Sequence, residues 1–328
     1  MPAPSEKPRV SVVVVNYNGK HFLSDCFSAI FRQIYPPSEV IMVDNASRDD
    51  SLDFVRDNFP QVTVLVNEAN MGFAGGTNVG IQRSTGEFIL TLNNDTQIDP
   101  AFLQEITRPV IEDPSVGMCA SKMTFPDGRI NSTGICISRS GAAWDRGMFE
   151  PDKGQYDRVE EVFGPCAGAA LYRRAMLDEI GLFDEDFFLF MEDVDLAFRA
   201  RLSGWKCIYV PSAQVVHKHG GTAGFKSDIS IYYGNRNLLW YVVKNFPKRM
   251  LIEYLPWIIG RNVGVIPYYF LEGKGKIIIR AKFDALRNIR KMMLKGKQSQ
   301  IKGREHNIRK WMHLWSRIGS PEHVADKI

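Results

Sequence analysis

The chain has 328 residues, 45% of them hydrophobic and 24% charged, which fits one large α/β domain with an appendage or two domains, and argues against disorder. Five scattered cysteines with no CxxC pair point to a reducing compartment and argue against a disulfide framework or a thiolate zinc site. The net charge of +4 conceals an asymmetry: residues 273–310 hold 13 Lys/Arg against Asp284 and Glu305, a local +11 that leaves −7 for the rest, so a basic tail facing an anionic surface is expected.

The opening MPAPSEKPRV lacks the apolar core of a secretory signal. VSVVVVNYN (10–18) is a β-branched apolar run ending in polar residues, the pattern of a buried parallel strand. A helix follows from about Lys20 to Ile34, broken by Pro36-Pro37. EVIMVDNAS is a second strand, DDSLDFVRDNF a helix with acidic first-turn residues, and VTVLVNEAN a third strand. GGTNVGIQRS is a helix entered through glycines and EFILTLNND a fourth strand. This alternation predicts βαβ units and a mainly parallel sheet, with ligands bound beyond the carboxyl ends of the strands. Those ends carry Asn16 and Asn18, Asp44, Asn67 with Asn70, and Asn93-Asn94-Asp95. After Pro114 the pattern loosens into Gly- and Pro-containing turns such as SRSGAAWDRG, then helices at 172–180 and 191–203. The stretch 251–270 is apolar and aromatic but interrupted by Glu253 and Arg261, with Pro256 and Pro267 expected to break its helix. It suits lying on a membrane better than crossing one.

No GxGxxG follows the first strand and no GxxxxGK[ST] occurs, which disfavours dinucleotide and P-loop chemistry. Asp95 at the end of the fourth strand suits a hard cation such as Mg²⁺ or Mn²⁺ that bridges a diphosphate; an Asx turn before the Pro100 helix is the plainer alternative. Glu192, Asp193 and Asp195 open a helix, where acidic residues ordinarily complement the dipole. The FFLF run just upstream would also surround them with apolar walls and raise a carboxyl toward general-base strength. His217 and His219 form an HxH pair without other clustered ligands. In YYGNRNLLW, Arg236 offers a fork suited to phosphate, beside Asn237.

The motifs VSVVVVNYNG, IMVDNASRDDS, NMGFAGGTNVGI, FILTLNNDT, GPCAGAALYRR, GLFDEDFFLFMEDVDLAFRARLSGW, VVHKHGGT and YYGNRN, in this order, resemble a family 2 inverting glycosyltransferase of the GT-A fold, in its rhamnosyltransferase-like branch. The resemblance spans about residues 9–245. It implies a catalytic domain over 1–245, with a nucleotide-sugar half at 9–113 and an acceptor half at 114–245, and a helical extension over 246–328. By the same resemblance, Asn93-Asn94-Asp95 sits at the DxD position with Asn in place of the first aspartate. Asp95 and His217 are then the metal or diphosphate ligands. Asp193 is the general base, and Glu192 positions acceptor or base. Asn16, Asn18, Asp44, Asn70, Gly72, Asn78, Asn93, Asn94 and Arg236 face the nucleotide sugar. The implied donor is a nucleoside-diphosphate sugar, dTDP-rhamnose favoured over UDP- or GDP-sugars, with a divalent metal. The implied acceptor is a glycan on a lipid. The apolar and basic residues 251–310, which the resemblance explains least, are expected from their composition to dock at the cytoplasmic face of the membrane that holds it, and no nucleic acid is expected. A sugar-nucleotide nucleotidyltransferase is a competing reading, but NYNGKHF lacks its phosphate loop; a non-catalytic binding protein is another.

Overall fold

A computed structural model describes residues 8–218, 227–299 and 305–314. In chain order the first half runs β1 (Val10–Asn16), α1 (Lys20–Phe31), β2 (Glu39–Asp44), α2 (Ser51–Asn58), β3 (Thr63–Val66), α3 (Gly72–Arg83), β4 (Phe88–Asn93), β5 (Thr96–Ile98) and α4 (Phe102–Glu112). Then come β6 (Val116–Thr124), β7 (Ile130–Ser132), β8 (Ile135–Ser138), β9 (Ala143–Asp145), β10 (Glu160–Glu161), β11 (Ala169–Arg173), α5 (Arg174–Ile180), a single 3₁₀ turn at Glu185–Phe187, α6 (Glu192–Ser203) and β12 (Lys206–His217). Helices α7 (Asp228–Asn245), α8 (Lys248–Leu271), α9 (Gly275–Arg287), α10 (Ile289–Ser299) and α11 (His306–Arg309) follow, and β13 (Met312–His313) comes last.

The main sheet is ordered β10-β12-β6-β11-β4-β1-β2-β3. Strands β4, β1, β2 and β3 are parallel, with Val15 opposite Asn93, Asn16 opposite Asp44 and Asp44 opposite Val66, so their polar ends share one rim. Both faces of this half are covered, which explains its unbroken apolar runs. Val10, Val12 and Val14 join the core that includes Leu23 and Phe27 of α1, while Val13 belongs to the core on the other face. Helix α3 approaches that other face through glycines: a Cβ at Gly80 would stand 2.3 Å from Val13 Cγ1, and one at Gly76 would stand 2.9 Å from Val15 Cγ1. Strand β11 runs antiparallel between β4 and β6, and β12 is parallel to β6 but antiparallel to β5.

Two expectations change. The helix expected over 172–180 begins at Arg174, because Tyr172 and Arg173 are paired in β11. Helix α8 runs unbroken through Pro256 and Pro267. A proline within a helix frees the carbonyl four residues earlier; here those residues are Ile252 and Val263, both exposed, so water satisfies the freed groups. The C-terminal extension is helical, with α9 and α10 packed on α7, and its β13 pairs with β8 to complete a small β13-β8-β9 sheet.

A buried charge cluster joins these parts. Asp195 of α6 is fully buried and accepts from Arg199 Nε (2.9 Å), Lys244 Nζ (2.9 Å) and Asn245 Nδ2 (2.7 Å). Lys244 also reaches Asp184 at 2.7 Å, and Lys295 of α10 reaches Asp184 at 2.5 Å. Arg199 donates to the carbonyls of Ile180, Gly181 and Leu182. Burial by itself would raise both aspartates; Lys244, with Arg199 at Asp195 and Lys295 at Asp184, more than offsets it. Asp195 is held below the ordinary carboxylate value and Asp184 is lowered to about 2.

Groups depressed in the folded state contribute stability in full above their unfolded value, near 3.8, and lose it as pH falls toward about 2. Urea unfolding from pH 7 to pH 2 should therefore show stability falling below about pH 4. Asp195→Ala, which leaves Lys244 and Arg199 short of their counter-ion, should lower stability at pH 7 by roughly 3–5 kcal/mol. A variant as stable as the wild type, with an unchanged acid limb, would remove the cluster from this role.

Candidate active site

The parallel rim and the first turn of α6 face each other across a cleft of about 480 Å³, within the usual range for small-ligand sites. On the rim, Asn93, Asn94 and Asp95 line the cleft with Val15, Tyr17 and Asn45. The antiparallel pairing of β5 with β12 puts Thr96 opposite His217, and Lys218 N donates to Asp95 O at 2.9 Å. Asp95 and His217 thus meet although they are 122 positions apart, with Asp95 Oδ1 3.1 Å from His217 Nε2. His217 Nδ1 lies 3.0 Å from Asn131 Oδ1. With that carbonyl accepting, Nδ1 carries a proton and the ring is held with Nε2 toward Asp95, the kind of orientation that second-shell partners give metal-binding histidines.

No group of three or more His, Cys, Asp or Glu among the described residues could hold a metal by itself. One carboxylate oxygen and one imidazole nitrogen fit a Mg²⁺- or Mn²⁺-like ion that takes its other ligands from phosphate and water. His219, the other half of the HxH pair, lies outside the described residues.

Across the cleft, residues 188–194 form the opposite wall. The turn into α6 is strained, with Phe188, Phe190 and Met191 all at positive φ (65°, 66° and 71°). Asn237 over-determines it, its Nδ2 lying 2.9, 2.9 and 2.8 Å from the carbonyls of Phe187, Leu189 and Phe190. Arg236 donates to Asp186 O and Phe187 O at 3.0 Å each. Gly72, at φ +69°, lets this turn approach α3, since a Cβ there would stand 2.2 Å from Phe188 O.

The turn delivers Glu192 and Asp193 to the cleft. Asp193 accepts from Val194 N at 2.7 Å and from Ala167 N at 3.4 Å, and burial pushes its carboxyl up. Glu192 is raised well above the ordinary value, by burial first and then by the charges of Asp193 and Asp195. Its Oε2 is buried without a hydrogen-bond partner. Both carboxyls are therefore held above the ordinary carboxylate value, chiefly by burial, side by side on the cleft wall. A third, Asp145 of β9, lines the same cleft and is raised to about 7, chiefly by burial.

Several expected residues lie off the cleft surface. Asp44 is fully buried, with Oδ1 accepting from Asn16 Nδ2 (3.0 Å) and Oδ2 from Ser47 N (2.8 Å). Asn16 in turn accepts from Asn94 Nδ2 at 2.8 Å, so these two shape the rim from beneath. Asn18, at φ 52°, accepts from Arg48 N at 2.7 Å. Asn70 lines the cleft and accepts from Gly72 N at 2.8 Å. Asn78 tethers the 183–185 segment, accepting from Phe183 N and donating to Phe183 O and Glu185. Arg236 is committed to the 186–187 carbonyls and lies 4.0 Å from the Trp240 ring, outside the cleft lining.

Sequence reasoning missed Tyr17, Asn45, Asn131, Trp144 and Asp145. The last two sit in the SRSGAAWDRG stretch, read only as a turn. Trp144 is 5.4 Å from the His313 ring of β13, a contact that no local pattern signals. A larger cavity of about 710 Å³, lined by 179–186 with Lys291 and Lys295, is crossed by ion pairs of those lysines with Asp184 and Asp186 and holds none of these candidates.

Residues 11–181, more than half of the chain, match the family described as Glycosyl transferase family 2. The chain is 27% identical over 236 residues to N-acetylglucosaminyl-diphospho-decaprenol L-rhamnosyltransferase of Mycobacterium tuberculosis, covering 65% of this chain and 77% of that one. Among solved structures it resembles GalNAc-T7 with UDP, GalNAc and Mn²⁺ (TM-score 0.62, 15% identity, 91% of this chain and 59% of that one). It also resembles the Pyrobaculum calidifontis mannosyltransferase PcManGT in complex with GDP-Man and Mn²⁺ (TM-score 0.55, 18% identity, 91% and 87%). At these identities the structural likeness establishes the fold, GT-A. The chain belongs to glycosyl transferase family 2 and is a glycosyltransferase.

Proposed function

We propose that the chain transfers a sugar, rhamnose from dTDP-rhamnose in the first instance, with inversion, to a hydroxyl of a lipid-linked glycan. The observation that carries this reading is that Asp95 with His217, and Glu192 with Asp193, open onto one cleft from opposite walls. Rhamnose and the lipid-linked acceptor rest on the similarity to the mycobacterial enzyme, whose name specifies both. UDP- and GDP-sugars are the competing donors.

Asp95 Oδ1 and His217 Nε2 would hold the divalent ion, which when bound neutralises the charge that grows on the leaving diphosphate. Asp193 accepts the acceptor's hydroxyl proton as that oxygen attacks the anomeric carbon. The new C–O bond forms on the face opposite the breaking bond to the diphosphate oxygen, whose electron pair departs with the nucleoside diphosphate. The proton ends on the Asp193 carboxyl, and no covalent enzyme intermediate is required. Glu192, beside Asp193 on the same wall, positions the acceptor or the base. The apolar Phe188–Phe190 wall keeps water from competing as nucleophile.

Membrane association belongs to the same reading. Exposed Ile252, Leu255, Ile259, Val263 and Phe270 recur at helical spacing on α8, and Ile279, Phe283 and Leu286 do so on α9 beside exposed Lys276, Arg280 and Arg287. No helix among the described residues is long and apolar enough to cross a membrane. An apolar stripe with flanking cations suits the surface of an anionic bilayer.

Asp193→Asn should lower kcat by about 10²–10⁴-fold while donor affinity holds, read from acceptor-dependent release of nucleoside diphosphate. An undiminished kcat would take the proton transfer away from Asp193. Calorimetry with dTDP-rhamnose, UDP-glucose, UDP-GlcNAc and GDP-mannose, in Mg²⁺, Mn²⁺ or EDTA, should find one donor that binds only with metal. Asp95→Ala should abolish that dependence, and tight binding of another donor would replace rhamnose. Ile259→Asp combined with Phe283→Asp should reduce cosedimentation with phosphatidylglycerol vesicles without changing donor affinity; full retention would place the membrane contact elsewhere.

A further inference from the structure

The cleft has a helical wall that the transfer reaction above leaves unused. Arg261, near the middle of α8, lines it together with Ser230, Gly234 and Asn235 of α7. Lys282 of α9 reaches into the same junction, its Nζ donating to Asn262 Oδ1 at 2.7 Å and to Asn235 O at 3.3 Å. Both partners of this ammonium are neutral oxygens. Burial, and then the neighbouring Arg261 guanidinium, push Lys282 down to about 7. An anion brought to this partly buried junction is attracted by both positive groups. Asn235 is itself buried, and its Oδ1 has no hydrogen-bond partner, leaving an acceptor for a hydroxyl on the same ligand.

We propose that this junction of α7, α8 and α9 is a phosphate site, with Arg261 at the cleft and Lys282 behind it, that takes the diphosphate of a lipid-linked acceptor. The proposal rests on the transferase reading above and adds to it the residues that recognise the acceptor's anionic group. A guanidinium presents two parallel N–H donors to phosphate oxygens, and the nearby ammonium adds a second positive charge. The donor's diphosphate already has a destination at the strand ends, beside Asp95 and His217. The junction is built by other elements, the helices that follow β12. Helix α8 also has the two-sided character that an amphiphile needs. Positions 252, 255, 259, 263 and 270 fall on one face by helical periodicity, and 261 falls on the opposite one, facing the cleft. One helix therefore presents aliphatic side chains outward and a cation inward.

The test is calorimetric binding of farnesyl diphosphate to the full chain, with dTDP present to fill the donor end, for wild type, Arg261→Gln and Lys282→Gln. Farnesol and inorganic pyrophosphate serve as comparison ligands, and dTDP-rhamnose affinity is measured for the same three proteins. Each variant is expected to bind farnesyl diphosphate roughly tenfold or more weakly, the loss typical of a charge-assisted contact, with dTDP-rhamnose affinity within about twofold. Farnesol should bind weakly and identically to all three. Unchanged farnesyl diphosphate affinity in Arg261→Gln would overturn the proposal. So would a loss of dTDP-rhamnose affinity instead, which would assign the phosphate to the donor. Pyrophosphate binding as tightly as farnesyl diphosphate would also overturn it, by making the site indifferent to the lipid. Should Lys282→Gln lower the unfolding midpoint, Arg261→Gln and the conservative Arg261→Lys, expected to retain part of the affinity, decide the matter. Failure of the transferase reading looks different: the wild type would then bind no nucleoside diphosphate or sugar nucleotide, while the farnesyl diphosphate arm still judges the junction.

Discussion

The buried Asp195 carboxylate is the point from which the catalytic half is held. Its ligands come from α6 itself (Arg199) and from the end of α7 (Lys244 and Asn245), and Lys244 and Arg199 extend the network to the 180–184 segment. A charge removed from water this completely persists only when each oxygen is paired. The pairing fixes the angle at which α6 starts, and with it the direction of Glu192 and Asp193. The strained 188–191 turn depends on the same frame, because Asn237 and Arg236, which hold carbonyls of residues 186–190, sit on α7 about two turns before Lys244. Lys295 reaches Asp184 from α10, so the C-terminal helices belong to the support of the catalytic wall.

The opposite wall is held by a different device, the register of the sheet. Parallel pairing aligns the ends of β1, β2 and β4, and side chains beyond those ends meet solvent at a single rim. The short β5 turns back from that rim to pair with β12, and this one contact carries His217 to Asp95. Glycine sets the spacing at two places: Gly80 lets α3 lie close to Val13, and Gly72 lets the catalytic turn close onto α3. The cleft width thus follows from backbone contacts that larger side chains would prevent.

Within the cleft, environment separates groups of the same chemical type. Glu192, Asp193 and Asp195 are three carboxyls in the first turn of one helix. Asp195 is depressed because Lys244 and Arg199 outweigh its burial, whereas Glu192 and Asp193 are raised, chiefly by burial. The helix dipole, which acts on all three, cannot produce that division. The arrangement gives one structural anion and a pair suited to proton transfer.

The order of strands and helices, the polar rim and the acidic opening of α6 were legible in the sequence, because period, strand-end polarity and helix punctuation are local properties of the chain. The rim candidates Asn93, Asn94 and Asp95 followed from the same reasoning. Roles that depend on what a side chain meets across the fold were not legible. Asn78 and Arg236 read as ligands for a nucleotide sugar, yet their donors go to backbone carbonyls of the 183–187 segment, more than 100 and about 50 positions away. Asp145 and Trp144 read as part of a turn until β9 was placed against the cleft and β13 beside it. Pro256 and Pro267 read as breaks, but α8 runs through both on an exposed face, where water can reach the carbonyls they orphan. Sequence determined which elements form and which chemistry their ends carry; the tertiary structure decided which of those groups face one another, since hydrogen bonding and burial are set by neighbours remote in the chain.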